Sequence, residues 1–259
     1  MTLPPPLTAL SDLDAQLAGS GYAVLDAESL ARCVGVRSHE LAAWAPLWHD
    51  LPPDQHLKDG GRYRRRRHGC FVLQPGAPGH EPGQGQGVMQ AVPHRAHWQP
   101  VEYNALHGGI ERWFDPLPAA MAEAPAWSRL LGGLAQQAAR LRGGADQPWY
   151  VEAHPFRIDT TDGIGRPTPE GAHRDGVELV VVILVARQGI KGGETRVFDA
   201  RGPQGVRFTL AEPWSALLLD DTRVIHESTP IQPIDAAAGG YRDTLVLTFR
   251  RGGFQGPAL

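Results

Sequence analysis

The chain has 259 residues, 42% of them hydrophobic, enough for one large domain or two small ones. A formal net charge of −3 excludes a protein held on nucleic acid or a membrane surface by overall charge. Glycine (31) and proline (23) exceed a fifth of the chain and imply many turns, but the segments between them are too regular for a disordered protein.

The start, Met1-Thr2-Leu3-Pro4-Pro5-Pro6, lacks the basic opening and long apolar run of a signal peptide, and no stretch approaches the roughly 18–20 apolar residues of a membrane span. A cytoplasmic protein with no membrane partner is expected. Ser11 is placed to cap a short helix over Asp12–Ala18, which Gly19-Ser20-Gly21 would stop, and Tyr22–Leu25 reads as a strand. Ala27–Trp48 carries apolar residues at helical spacing, with Gly35 as a possible break. The cysteines Cys33 and Cys70 have no zinc-type spacing and read as reduced and structural.

Arg64–Arg67 is a run of four arginines. In a strand, alternate members would face solvent and the others an anionic pocket. With no basic surplus elsewhere, nucleic acid is not the expected partner. Gln74–Val88 is a Gly/Pro/Gln-rich loop, and Asn104–Pro118 mixes turns with aromatic anchors. Pro125–Arg142 is the clearest helix. Its stripe of Trp127, Leu130, Leu131, Leu134, Ala138 and Leu141 reads as a core face, although Gly132-Gly133 lies inside it.

From Trp149 the period changes. Trp149–Asp159 alternates like a strand, and Leu179–Val185, Glu194–Phe198, Val206–Leu210, Trp214–Leu219, Arg223–Glu227 and Thr244–Phe249 follow with turn signals between them. This predicts a mainly β protein with flanking helices and a sandwich or jelly-roll core. A single domain over 1–259 is expected, with a helix-rich front (1–147) and a β-rich, metal-binding back (148–251).

The chemistry concentrates in that back part. His173 and Asp175 are spaced i, i+2, so in an extended segment both side chains leave one face. His226 follows 51 residues after Asp175. Two histidines and one carboxylate on one side of an ion, with the other positions open, form the set used by non-haem Fe(II) oxygenases. Arg242 and Thr244 would share a strand face, where guanidinium and hydroxyl can clamp one carboxylate. A short H-x-D is common by chance; all four features in this order are not.

Several matching stretches give the chain a resemblance to the 2-oxoglutarate/Fe(II) dioxygenases that include bacterial hydroxylases of free L-amino acids, such as isoleucine dioxygenase. They are Gly61–Arg67, Tyr103–Pro116, His154–Arg157, Pro167–Gly176 (with Pro-Glu-Gly-x-His-x-Asp-Gly), Gly192–Thr195, Leu219–Pro230 and Arg242–Phe249. The resemblance implies a double-stranded β-helix of the cupin-like, jelly-roll kind, with Fe(II), 2-oxoglutarate and O2. It makes His173, Asp175 and His226 iron ligands, and Arg242, with Thr244 beside it, the site of the 2-oxoglutarate distal carboxylate. Some such relatives are described as biofilm, stress and motility proteins, so fold alone does not give the physiological role.

The expected substrate is a small free L-amino acid, oxidised by C-hydroxylation or sulfoxidation. The alternatives are a residue in a peptide or protein, and a non-catalytic jelly roll that binds a metal or ligand in signalling. Arg65 is a candidate for a substrate carboxylate, although sequence does not separate it from its neighbours. Glu170 can meet an ammonium or lie in solvent. Asn104 belongs to the pocket or makes a turn. His154 and Arg157 lie on opposite faces of one strand, so at most one points inward. Asp220 and Asp221 are expected to shape the turn before His226. His68, His94 and His97 have no partner at ligand spacing and are expected in loops or at the surface.

Overall fold

The structure, a computed structural model, describes residues 3–74, 88–144 and 147–257; residues 75–87 of the Gly/Pro/Gln-rich loop fall outside it. In chain order the elements are α1 (Leu13–Ser20), β1 (Tyr22–Leu25), α2 (Ala27–Val34), α3 (Ser38–Ala42), β2 (Arg64–Arg66), β3 (Gly69–Leu73), β4 (Met89–Ala91), α4 (Ala119–Ala122) and α5 (Pro125–Arg142). They continue as β5 (Trp149–Asp159), β6 (Leu179–Gln188), β7 (Ile190–Gly192), β8 (Thr195–Asp199), β9 (Gly205–Phe208), β10 (Ala216–Asp220), β11 (Val224–Ser228), β12 (Ile231–Pro233) and β13 (Tyr241–Arg250). The outcome is the expected mainly β fold: antiparallel sheets in a jelly roll, with helices on one side.

Among the described residues the large sheet runs β1-β10-β6-β13-β5-β3-β4, with β2 also on β5. Its pairings are antiparallel. β11-β8-β9 and β12-β7 form the opposing layer. β6 is a continuous apolar run because both its faces are covered. Val181, Ile183 and Val185 pack outward into the helical core, while Val180 and Leu184 point into the sandwich. The outer core is built on α1, α2 and α5 against β5, β6 and β13. The inner core, around Val180, Leu184, Val197, Phe208 and Leu219, fills part of the sandwich. The remainder of the interior holds the cavity described below.

Two local expectations change, and the break offered at Gly35 is present. The first helix runs Leu13–Ser20 after a 3-10 turn; Ser11 makes no cap bond, its hydroxyl going to Asp12. The Ala27–Trp48 pattern splits at Gly35, whose left-handed φ of 67° caps α2, and again before the 3-10 turn Ala45–Asp50. His173 and Asp175 do not sit in a regular strand: His173 makes a single antiparallel bridge to His226. A bulge between Asp243 and Thr244 shifts β13 against β6. The Trp48 indole N–H donates there to the Thr244 carbonyl at 3.2 Å and to that of Phe156 at 3.0 Å, tying the front part of the chain to the central strands.

Candidate active site

Strand alternation assembles the site. On β13, Arg242, Thr244, Val246 and Thr248 face the sandwich interior; on β5, Glu152, His154, Phe156 and Ile158 do the same. With residues from β2, β6, β11, two loops and the segment after β13 they line a cavity of about 130 Å³. His173, Asp175 and His226 stand on the opposite wall.

The backbones of His173 and His226 exchange both hydrogen bonds, at 3.0 and 2.9 Å, so the two imidazoles are neighbours with ring centroids 4.6 Å apart. Asp175 completes a group whose potential ligand atoms all lie within 4.8 Å of one another. His173 Nδ1 faces the Gly171 carbonyl at 2.9 Å, which places its proton there and leaves the Nε2 lone pair free. Asp221 accepts from the backbone N–H groups of Asp175, Gly176 and Val177 at 3.0, 2.7 and 3.0 Å, fixing the segment that carries the carboxylate. Gln99 Nε2 donates to Asp175 Oδ1 at 3.1 Å, while its Oε1 accepts from Asn104 and Arg112 at 3.1 and 2.8 Å.

Burial pushes the Asp175 carboxyl up, and pushes Asp221 up to about 7 with the Asp175 charge adding to it. Burial lowers His226 well below the ordinary imidazole value, and the neighbouring His173 lowers it further. Two imidazoles and a carboxylate whose ligand atoms lie this close together are a donor set that fits a divalent iron.

Arg242 is 4% exposed, its Nε has no partner, and among the described residues no carboxylate lies within ion-pair distance. Burial, and then the charge of Arg187, pull it down to about 10, so it remains a cation at neutral pH. Thr244, two residues on, lines the same wall.

The family model described as 2OG-Fe dioxygenase matches residues 45–248. The chain belongs to the 2OG-Fe dioxygenase family. It is a 2-oxoglutarate-dependent non-haem iron dioxygenase, working with Fe(II), 2-oxoglutarate and O2. A crystal structure of a bsmA homolog from Methylobium petroleophilum PM1 is 53% identical over 98% of each chain, with a TM-score of 0.88. IDO from Bacillus thuringiensis is 16% identical over 95% of this chain and 100% of that one, with a TM-score of 0.72. The Fe(II)/(alpha)ketoglutarate-dependent dioxygenase TqaL is 17% identical over 93% and 87%, with a TM-score of 0.65. At those identities the last two share the fold. No curated protein sequence matches the chain. No helix among the described residues is long and apolar enough to cross a membrane.

The dioxygenase brings some of the expected substrate residues into the cavity and turns others away. Asn104, His154 and Glu170 line it. Asn104 also makes its turn, accepting from the His107 N–H at 2.8 Å. Arg65 does not reach the cavity: period 2 turns it outward, 40% exposed, toward Asp159 at 3.7 Å. Its neighbours Arg64 and Arg66 face inward instead. Arg157, on the outer face of β5, is held by Asp243 at 2.6 and 2.8 Å.

Sequence reasoning missed several residues. Arg112 and Gln99 line the cavity from irregular loops. His68 and His97, expected near the surface, are 1% and 5% exposed and flank Glu152. Glu152 and His154 share the inward face of β5, the one signal that the strand pattern offered for this group.

Proposed function

We propose that this dioxygenase oxidises a small free L-amino acid, by C-hydroxylation or sulfoxidation, while 2-oxoglutarate becomes succinate and CO2. One observation carries the reading: besides Arg242, the cavity holds two buried guanidinium groups that have no carboxylate partner among the described residues, and a carboxylate oxygen that has no donor among them. Arg66 is clamped between the rings of Phe114 and Phe156, at 4.0 and 4.3 Å, with its Nε unpartnered. Arg112 is 2% exposed, its Nε is also unpartnered, and burial followed by the charge of Arg64 pulls it down to about 10. Glu170 Oε2 is buried without a partner, and Oε1 lies 3.6 Å from His173 Nε2. Unpaired buried charges cost several kcal/mol each unless a ligand completes them. A zwitterion with one carboxylate and one ammonium does so.

In this reading His173, Asp175 and His226 hold the iron. Arg242 and Thr244 take the distal carboxylate of 2-oxoglutarate. Arg66 and Arg112 replace Arg65 as the partners of the substrate carboxylate, and Glu170 takes the ammonium close to the metal. Iron(II) with 2-oxoglutarate supplies the activation of O2: one oxygen atom enters succinate and the other the substrate. The protein's part is to fix the reacting bond near the metal and to keep water out, which the enclosed position between two sheets favours.

The test is succinate formation by anaerobically Fe(II)-reconstituted protein with 2-oxoglutarate, O2 and each of the twenty L-amino acids. A few amino acids are expected to stimulate turnover. His173→Ala should abolish it, and Arg242→Ala should weaken 2-oxoglutarate binding by about 10- to 100-fold. Binding of 2-oxoglutarate with no stimulation by any amino acid would refute the substrate assignment.

A further inference from the structure

A second group of buried side chains borders the cavity and has no part in holding iron or cosubstrate: His154 and Glu152 on β5, His97 from a loop, and His68 between β2 and β3. The hydrogen bonds within it fix where the protons are. Glu152 accepts from His68 Nε2 at 3.3 Å through Oε1 and from His97 Nδ1 at 3.2 Å through Oε2. A carboxylate only accepts, so the His97 proton sits on Nδ1 and its Nε2 keeps a lone pair. Arg66 only donates, and it lies 2.7 Å from His154 Nδ1, so the His154 proton sits on Nε2. Burial holds His97 down to about 3 and His154 well below the ordinary value, so both rings stay neutral. Two adjacent rings, centroids 4.7 Å apart, thus carry one fixed acceptor and one fixed donor at the cavity wall.

These four side chains also have potential ligand atoms within 4.8 Å of one another. A cation is nevertheless the poorer occupant. His154 has no lone pair to offer while Arg66 holds Nδ1, and the Arg66 and Arg112 charges both act on His97 against the single carboxylate of Glu152.

We propose that His97 and His154 read the side chain of the substrate, and that this side chain carries a neutral group that both donates and accepts, such as a hydroxyl or a carboxamide, which narrows the chemistry above to C-hydroxylation. The inference rests on the free-amino-acid reading above. An aliphatic side chain would leave the pair buried and unanswered. Sites built to hydrogen-bond a substrate group reject the analogue lacking it by about 10⁴- to 10⁵-fold, whereas one methylene in an apolar pocket is worth only about 10- to 200-fold.

The experiment compares kcat/KM, from succinate release by the Fe(II)-reconstituted full chain, within near-isosteric pairs: L-threonine and L-valine, L-asparagine and L-leucine, L-glutamine and L-methionine. The polar member is expected to lead by at least about 100-fold in one pair or more. His97→Phe should collapse that ratio, and His97→Gln, which retains an acceptor, should restore most of it. If His97→Phe does not fold, the wild-type ratios decide alone. Turnover of amino acids with no polar preference in any pair overturns this inference and leaves the amino-acid reading standing. So does a second equivalent of bound metal per chain that His68→Ala removes. If no amino acid is turned over, the amino-acid reading falls and this inference falls with it.

Discussion

Gln99 touches the carboxylate of Asp175 through an amide that is not free to turn. Its oxygen is claimed by Asn104 and Arg112, so its nitrogen must face Asp175. On the proposed metal set, Gln99→Leu removes the bond that orients one ligand and strands two buried donors. Fe(II) or Co(II) affinity, followed by titration of the metal-free protein, is expected to fall about 10- to 100-fold. Unchanged affinity would remove Gln99 from any positioning role. The sequence could expose the triad because His173, Asp175 and His226 are uncommon residue types at a telling spacing. It could not expose Gln99, Arg112 or His97, whose segments are irregular, so no period tells which way each side chain points. In Arg64–Arg67, four identical residues carry no phase, so only the pairing of β2 with β5 decides that Arg64 and Arg66 turn inward.

At the scale of elements, α5 illustrates where local preference and packing disagree. By helix propensity alone, Gly133→Ala should stabilise the protein by about 1 kcal/mol. A methyl group at Gly133 would, however, meet the backbone Cα of Val34 on α2 at 2.6 Å. The two helices approach closely because that side chain is missing, and neither can yield without opening the outer core. Gly133→Ala is therefore expected to destabilise by about 1–3 kcal/mol, seen as a lower urea midpoint; a raised midpoint would refute the close-packing account. The glycine pair that weakened α5 as a sequence pattern is thus partly a packing feature. Long elements such as α5, β5 and β13 were legible because their periods extend over many residues, and β6 because its apolar run is long. The short β4, β7 and β12, with three residues each, offer no period to read.

For the whole molecule, buried neutral histidines link stability to pH. His97 in the folded state is held down to about 3 and His154 well below its ordinary value, both chiefly by burial. In the unfolded chain each titrates near about 6.5. Between those values the unfolded state binds more protons, so this contribution is fully present above about pH 6.5 and is lost as pH falls toward the folded value. Two such groups give a slope of at most about 2.7 kcal/mol per pH unit. The buried Asp221 carboxyl, raised to about 7, works the other way over this range, so the test is a difference. Between pH 7 and pH 5 the urea midpoint of the metal-free protein should decline more steeply in the wild type than in His97→Phe; equal slopes would mean that the His97 ring is charged or exposed when folded.

The bridge between His173 and His226 also sets an order of assembly. It joins residues 53 apart in sequence and ties the segment of His173 to the edge of β11, so it closes a long loop. Contacts that close so long a loop come after local ones in a folding chain. On the proposed metal set, iron would complete this closure rather than begin it, because backbone hydrogen bonds already hold the two imidazoles side by side.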